Sequence, residues 1–75
     1  MVKVYSTNSC PWCVKAKSYL SSKGVSFEDL NVQEDMVARE EMVKKSNQMG
    51  VPVLDINGTI IIGFDKMSID EALNK

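Results

Sequence analysis

From Val2 through Lys3, Val4 and Tyr5 to Ser6, apolar and polar positions alternate, the two-residue period of a strand with one buried face. The polar run Thr7-Asn8-Ser9 follows as a loop. From Pro11 to Lys23 the period changes: Cys13, Ala16 and Leu20 fall on one helical face, with Tyr19 beside it. Pro11 suits the first turn of that helix, where its missing N–H leaves nothing unpaired. Gly24 closes it. Val25 to Val32 alternates again and predicts a second strand. Asp35 is placed to cap a second helix running to about Asn47, with Ala38, Met42 and Val43 as its apolar face. On it Glu40 precedes Lys44, and Glu41 precedes Lys45, by four residues. These pairs read as a solvated face, each worth about 0.2–0.5 kcal/mol.

Val53 to Ile56 predicts a third strand, Asn57-Gly58 a tight hairpin turn, and Thr59 to Ile62 the returning fourth strand. Ser68 and Glu71 read as a capping box for a last helix, with Ile69, Ala72 and Leu73 behind it. A strand–helix–strand unit implies a parallel pair and a hairpin an antiparallel one. The order β-α-β-α-β-β-α is therefore an α/β fold: a four-stranded mixed sheet with three helices packed on its faces.

At 75 residues the chain holds a single domain, taken as 1–75. An apolar share of 44% is too high for disorder. Nine basic against ten acidic side chains give a net charge of −1, which speaks against nucleic acid or an anionic membrane as partner. No apolar run approaches the ~20 residues of a membrane helix. The start, Met1 to Tyr5, is too short and polar for a secretory signal, so a cytoplasmic location is expected. Histidine is absent, which removes imidazole base chemistry and His-ligated metals. Of the methionines, Met36, Met42 and Met67 read as gap-filling or flanking residues, and Met49 as packing beside Gly50 and Val51.

The chemistry lies in Cys10-Pro11-Trp12-Cys13. This spacing serves half a zinc site, a buried inert pair, or a redox dithiol. The zinc reading lacks ligands, because the chain has no histidine and no other cysteine. The inert pair sits poorly with the polar loop before Cys10. A Cys-x-x-Cys beside a β-α-β pattern is the signature of a redox dithiol. At the start of a helix, the unpaired N–H groups and the helix dipole favour a thiolate on Cys10. Cys13, one turn on and facing the core, is placed to resolve a mixed disulfide on Cys10.

Cys10-Pro11-Trp12-Cys13 is similar to the glutaredoxin motif Cys-Pro-Tyr-Cys, with Trp12 in the Tyr position. Val51-Pro52 resembles that family's cis-proline pair, and Gly63-Phe64-Asp65 its Gly-aromatic-Asp segment before the last helix. Tyr5 to Cys10, Gly24-Val25-Ser26-Phe27 and Glu40-Glu41-Met42 match small bacterial glutaredoxins as well. The resemblance covers essentially the whole chain. It implies a thioredoxin-like fold and a monomeric thiol–disulfide oxidoreductase acting on disulfide-containing client proteins. Glutathione would be the co-substrate, with no permanently bound cofactor or metal. Trp12 would wall the glutathione site, the Val51 backbone would pair with glutathione, and Pro52 in cis would shape that edge. Gly63-Phe64-Asp65 would receive the γ-glutamyl end, with Asp65 near its amino group.

Each of these residues also has a plain structural role open to it: packing for Trp12, core for Phe64, a helix cap for Asp65, an ordinary trans proline for Pro52. The chain departs from the family pattern twice. Thr7 stands where many members have a Lys for the glycyl carboxylate, and Lys66 where a second acidic residue is usual. Gln48 offers a donor nearby. Similar departures occur in redoxins reduced by thioredoxin reductase that serve ribonucleotide reductase, which is the alternative function. A metal or iron–sulfur carrier using the same cysteines is a further one.

Overall fold

A computed structural model describes residues 2–74; Met1 and Lys75, the ends of the expected 1–75 domain, lie outside the described residues. The elements are β1 (Val2–Ser6), α1 (Pro11–Ser22), β2 (Glu28–Asn31), α2 (Met36–Ser46), β3 (Val53–Ile56), β4 (Thr59–Ile62) and α3 (Lys66–Leu73). They form one mixed sheet in the order β2-β1-β3-β4. β1 runs parallel to β2, with Lys3 opposite Glu28 and Ser6 opposite Asn31. It runs antiparallel to β3, with Lys3 opposite Asp55 and Tyr5 opposite Val53. β3 and β4 are antiparallel and joined through Asn57 (φ 52) and Gly58 (φ 98). Both turn residues thus have the positive φ that a two-residue hairpin with the sheet's twist requires.

The alternation of side chains sorts the core onto two faces. Val2, Val4, Leu54, Ile56 and Ile61 meet Ala16 and Leu20 of α1 and Ile69 and Ala72 of α3. On the other face Tyr5 and Val53 pack with Val32 and with Ala38 and Met42 of α2. The helical faces expected from periodicity are therefore the buried ones, with Val43 and Leu73 half-buried at their margins.

The second strand is shorter than the alternation suggests. Val25 to Phe27 stay outside it, with Val25 and Phe27 packed against the α1–α3 core. The pairing register explains this: Glu28 lies opposite Lys3, near the start of β1, so residues before it soon run out of partner strand. The last helix begins earlier than the capping box suggests. Its N-cap is Asp65, whose carboxylate accepts from the Ser68 amide at 3.3 Å, while Ser68 lies within the first turn. Met36 and Met67 are exposed rather than gap-filling; Met42 alone of the three is buried.

The expected solvated face on α2 is corrected at Glu41 and Lys45. Both turn toward the sheet, over the face that carries Lys3, Tyr5 and Asp55. Lys45 Nζ donates to Asp55 at 2.6 Å, to Glu41 at 3.2 Å and to the Tyr5 hydroxyl at 3.1 Å. The Tyr5 hydroxyl donates to Glu41, and Lys3 Nζ adds a further bond to Glu41 at 3.2 Å. The Tyr5 hydroxyl, then Lys3 and Lys45, hold the Glu41 carboxyl down at about 2. The Asp55 carboxylate, first among its partners, holds the Lys45 ammonium well above the ordinary lysine range. Glu40 and Lys44 stay exposed, as the pattern suggests.

Candidate active site

The loop between β1 and α1 is braced from β2 and the residues after it. Asn31 Nδ2 donates to Asn8 Oδ1 at 2.6 Å, and the Asn8 amide donates to Gln33 Oε1 at 3.3 Å. Sequence pattern alone did not mark Asn8, Asn31 and Gln33; polar residues in a loop carry no periodicity to find them by. The loop delivers Cys10 to the N-cap of α1, with Pro11 at the start of the helix. The Cys10 backbone is extended (φ −111, ψ 102), and its Sγ accepts a hydrogen bond from the Cys13 amide at 3.1 Å. A sulfur thus takes the place that a Ser or Asp oxygen usually fills at a helix start.

Cys10 and Cys13 are joined as a disulfide with a Cα–Cα distance of 5.2 Å. Their exposure differs: Cys13 is fully buried and Cys10 half-buried. Of the two sulfurs, Cys10 is thus the more accessible from solvent. Trp12, between them, is 56% exposed.

Beside the dithiol lies a cleft of about 270 Å³ lined by Trp12, Val51, Pro52, Gly63 and Phe64. The fold gathers them from three separate stretches of chain. The Val51–Pro52 bond is cis, as the resemblance implied. The Gly63 amide donates to the Pro52 carbonyl at 2.8 Å, tying the start of β3 to the end of β4. Gly63 has φ +82, a conformation that a residue with a Cβ adopts only under strain, and it turns the chain into Phe64. Phe64 is half-buried and meets Tyr19 edge to face at 5.8 Å between ring centres. It is thus both a cleft wall and a flank of the α1–α3 core.

Asp65 lies beyond the cleft. Its carboxylate accepts from the Ser68 amide and hydroxyl, and it borders a different hollow between β4 and α3. Gln48 is engaged with its own loop: Oε1 accepts from the Gly50 amide at 2.7 Å and Nε2 donates to the Gly50 carbonyl at 2.9 Å. It acts as a brace for the segment leading into Val51-Pro52, a role that spacing does not reveal. Met49 is exposed. Among the described residues no three His, Cys, Asp or Glu side chains group as a metal site, and no helix is long and apolar enough to cross a membrane.

Positive charge gathers on the α1 side. Lys15 Nζ lies over the Trp12 ring at 4.5 Å. Lys23 and Lys66 approach the Tyr19 ring at 5.2 and 5.7 Å. The one carboxylate among them, Asp70, accepts from the Tyr19 hydroxyl at 2.5 Å and pairs with Lys23 at 3.0 Å. Those two contacts, the hydroxyl first, hold the Asp70 carboxyl below its ordinary value.

A vicinal dithiol capping the first helix of this mixed sheet, one sulfur open and the other shielded, defines a thiol–disulfide oxidoreductase of the thioredoxin-like fold. The chain matches the glutaredoxin family model over residues 2–61. It belongs to the glutaredoxin family. It is 55% identical to a glutaredoxin-like 8.6 kDa protein of the rubredoxin operon in Clostridium pasteurianum, over the full length of both chains. It is 42% identical to glutaredoxin 3 of Escherichia coli strain K12 over 66 residues, covering 88% of this chain and 80% of that one. Among solved structures, the thioredoxin-like protein BC3987 superposes with a TM-score of 0.90 at 26% identity, covering 96% of this chain and 99% of that one.

Proposed function

We propose that the protein is a glutathione-dependent oxidoreductase that reduces mixed and protein disulfides in the cytoplasm as a monomer. The observation that carries this reading is the placing of an accessible helix-capping sulfur next to a cleft built from Trp12, Val51, Pro52, Gly63 and Phe64. The Cys13 amide and the helix dipole stabilise a thiolate at Cys10 in the reduced protein. That thiolate attacks a client disulfide; a Cys10–client bond forms and the other client sulfur leaves as thiolate. The Cys13 sulfur, deprotonated, then attacks Cys10 Sγ, closing the Cys10–Cys13 disulfide and releasing the second client sulfur. Two glutathione thiols restore the dithiol in two exchanges and leave as oxidised glutathione. In this scheme the Val51 backbone pairs with glutathione's backbone, and Trp12 and Phe64 flank it. Asp65, one residue beyond the cleft-lining Phe64, receives the amino group with the carboxylate capacity that Ser68 leaves free.

A second reading has thioredoxin reductase as the electron source. Thr7 and Lys66 favour it, since each replaces a charge that the family pattern places around glutathione. One coupled assay separates the two. Glutathione with glutathione reductase is expected to sustain turnover of a small disulfide. No turnover with millimolar glutathione, together with turnover on thioredoxin reductase, would overturn the glutathione assignment.

A further inference from the structure

We infer that the groove between α1 and the turn into α3 is a docking surface for an acidic peptide segment that flanks the disulfide cysteine of a client protein. The inference rests on the oxidoreductase reading and adds to it a class of client. The groove encloses about 520 Å³, and its lining is apolar, hydroxyl-bearing or cationic, with no acidic side chain. Val14, Tyr19 and Phe64 supply the apolar part, Ser18 a hydroxyl, and Lys15 and Lys66 the charge. Phe64 also lines the cleft beside the dithiol, so the two hollows share a wall. A polypeptide whose cysteine meets Cys10 therefore runs past Phe64 into the groove after a short extended stretch.

The charge that awaits it is unspent. Lys3, Lys17, Lys23 and Lys45 are all held in ion pairs. Among the described residues Lys15 and Lys66 have no ion-pair partner; they rest on the rings of Trp12, Tyr19 and Phe64. Asp70 attracts Lys66 through space, but its oxygens are bonded elsewhere. Asp70 is engaged by Lys23 and the Tyr19 hydroxyl, and Asp65 bonds Ser68 and borders another hollow. A chain with net charge −1 thus presents a cationic, aromatic face beside its reactive sulfur. Cations seated on aromatic rings are pre-oriented for carboxylates, and complementary charge selects partners and speeds encounter. Exposed apolar side chains on the same helix, Trp12 and Val14, suit the peptide's own apolar atoms.

The test uses Trp12, the sole tryptophan, as the reporter. Two peptides are titrated into the intact protein at low salt, each with serine in place of the reactive cysteine. One carries Asp and Glu on both sides of that serine; the other carries Gln and Ser. The acidic peptide is expected to bind about ten-fold more tightly, as two exposed charge contacts of a few-fold each would give. Lys15→Gln with Lys66→Gln should erase the difference, and Lys15→Arg with Lys66→Arg should keep it. Equal affinity for the two peptides, or a preference that survives the glutamine pair, overturns the inference. So does a glutamine pair that raises the Michaelis constant for glutathione as much as it weakens the acidic peptide, because the cations then serve glutathione. Reduction of a small uncharged disulfide by the wild-type protein is measured in parallel. Its absence sinks the oxidoreductase reading, whereas the titration judges the docking surface without any turnover.

Discussion

Tyr5→Phe removes a single oxygen from the α2 face of the sheet and leaves the buried ring in place. Tyr5 is fully buried, its hydroxyl donating to Glu41 and accepting from Lys45 at 3.1 Å. Burial first, then the Glu41 bond, raises the pKa of Tyr5, so the phenol stays protonated at every pH used below. The Glu41 carboxyl falls from an ordinary 4.5 to about 2, with the Tyr5 hydroxyl as the largest cause. At 1.36 kcal/mol per pKa unit that fall corresponds to about 3 kcal/mol before screening. The Glu41 side chain is 37% exposed, so solvent screening brings the usable part down to about 1 kcal/mol. Because the folded value lies below the unfolded one, this stability is present above about pH 4.5 and is lost as pH falls toward 2. A hydrogen bond to a charged group contributes about 1.5–3 kcal/mol, and Lys3 and Lys45 still hold Glu41 in the variant. The expected destabilisation is about 1–2 kcal/mol at neutral pH, a fall in Tm of at least about 4 °C for a chain of this size. Urea unfolding of the disulfide form, wild type against variant, measures the gap at neutral pH and at steps down to pH 2. The gap should narrow below pH 4.5 as Glu41 takes up its proton. No gap at neutral pH, or one that stays constant down to pH 2, would refute the reasoning.

In the reduced Cys13→Ser variant, the alkylation rate of Cys10 should titrate with a midpoint below the free-thiol value of about 8.5; a midpoint at or above it removes the argument from the helix start. Thr7→Lys should lower the Michaelis constant for glutathione by up to about five-fold, the worth of one exposed charge contact, and leave Cys10 alkylation unchanged. Gly63→Ala meets no neighbouring atom, so its cost is that of the backbone at φ +82 alone, about 1–3 kcal/mol of unfolding free energy from urea titration; a neutral outcome would mean that the turn relaxes. Gln48→Ala should cost about 1 kcal/mol and reduce turnover more than it reduces Cys10 alkylation, since the brace acts on the Val51 segment and not on the sulfur.

The hairpin was legible to the residue because Asn57-Gly58 states its own geometry and the flanking strands need only each other. The first helix was equally plain, because Pro11, Gly24 and the Cys13-Ala16-Leu20 face all act locally. The third helix start shows where local signals compete. Asp65 to Ser68 has the same spacing as Ser68 to Glu71, and the choice fell to the residue next to the Gly63-Phe64 turn. The Glu41–Lys45 pair satisfied a helix-surface rule, but which way that surface faces depends on a sheet assembled from residues 36 and 40 positions earlier. The cleft is similar: Trp12 and Val51 are joined by tertiary structure only. Resemblance to a family, rather than periodicity or spacing, brought those residues together in the reading of the sequence.

The reactive sulfur is also the cap of its own helix. In a thermodynamic cycle linking oxidised and reduced, ordered and frayed forms of the first turn, a thiolate holds the Cys13 amide more strongly than a disulfide sulfur does. Whatever extra order the Cys10 thiolate form gains at the start of α1 must reappear, with the same free energy, as a preference of the ordered helix for the reduced state. Amide exchange at Cys13 and the midpoint potential of the pair are then two gauges on one quantity. A substitution far from sulfur that frays or steadies this turn will move both together.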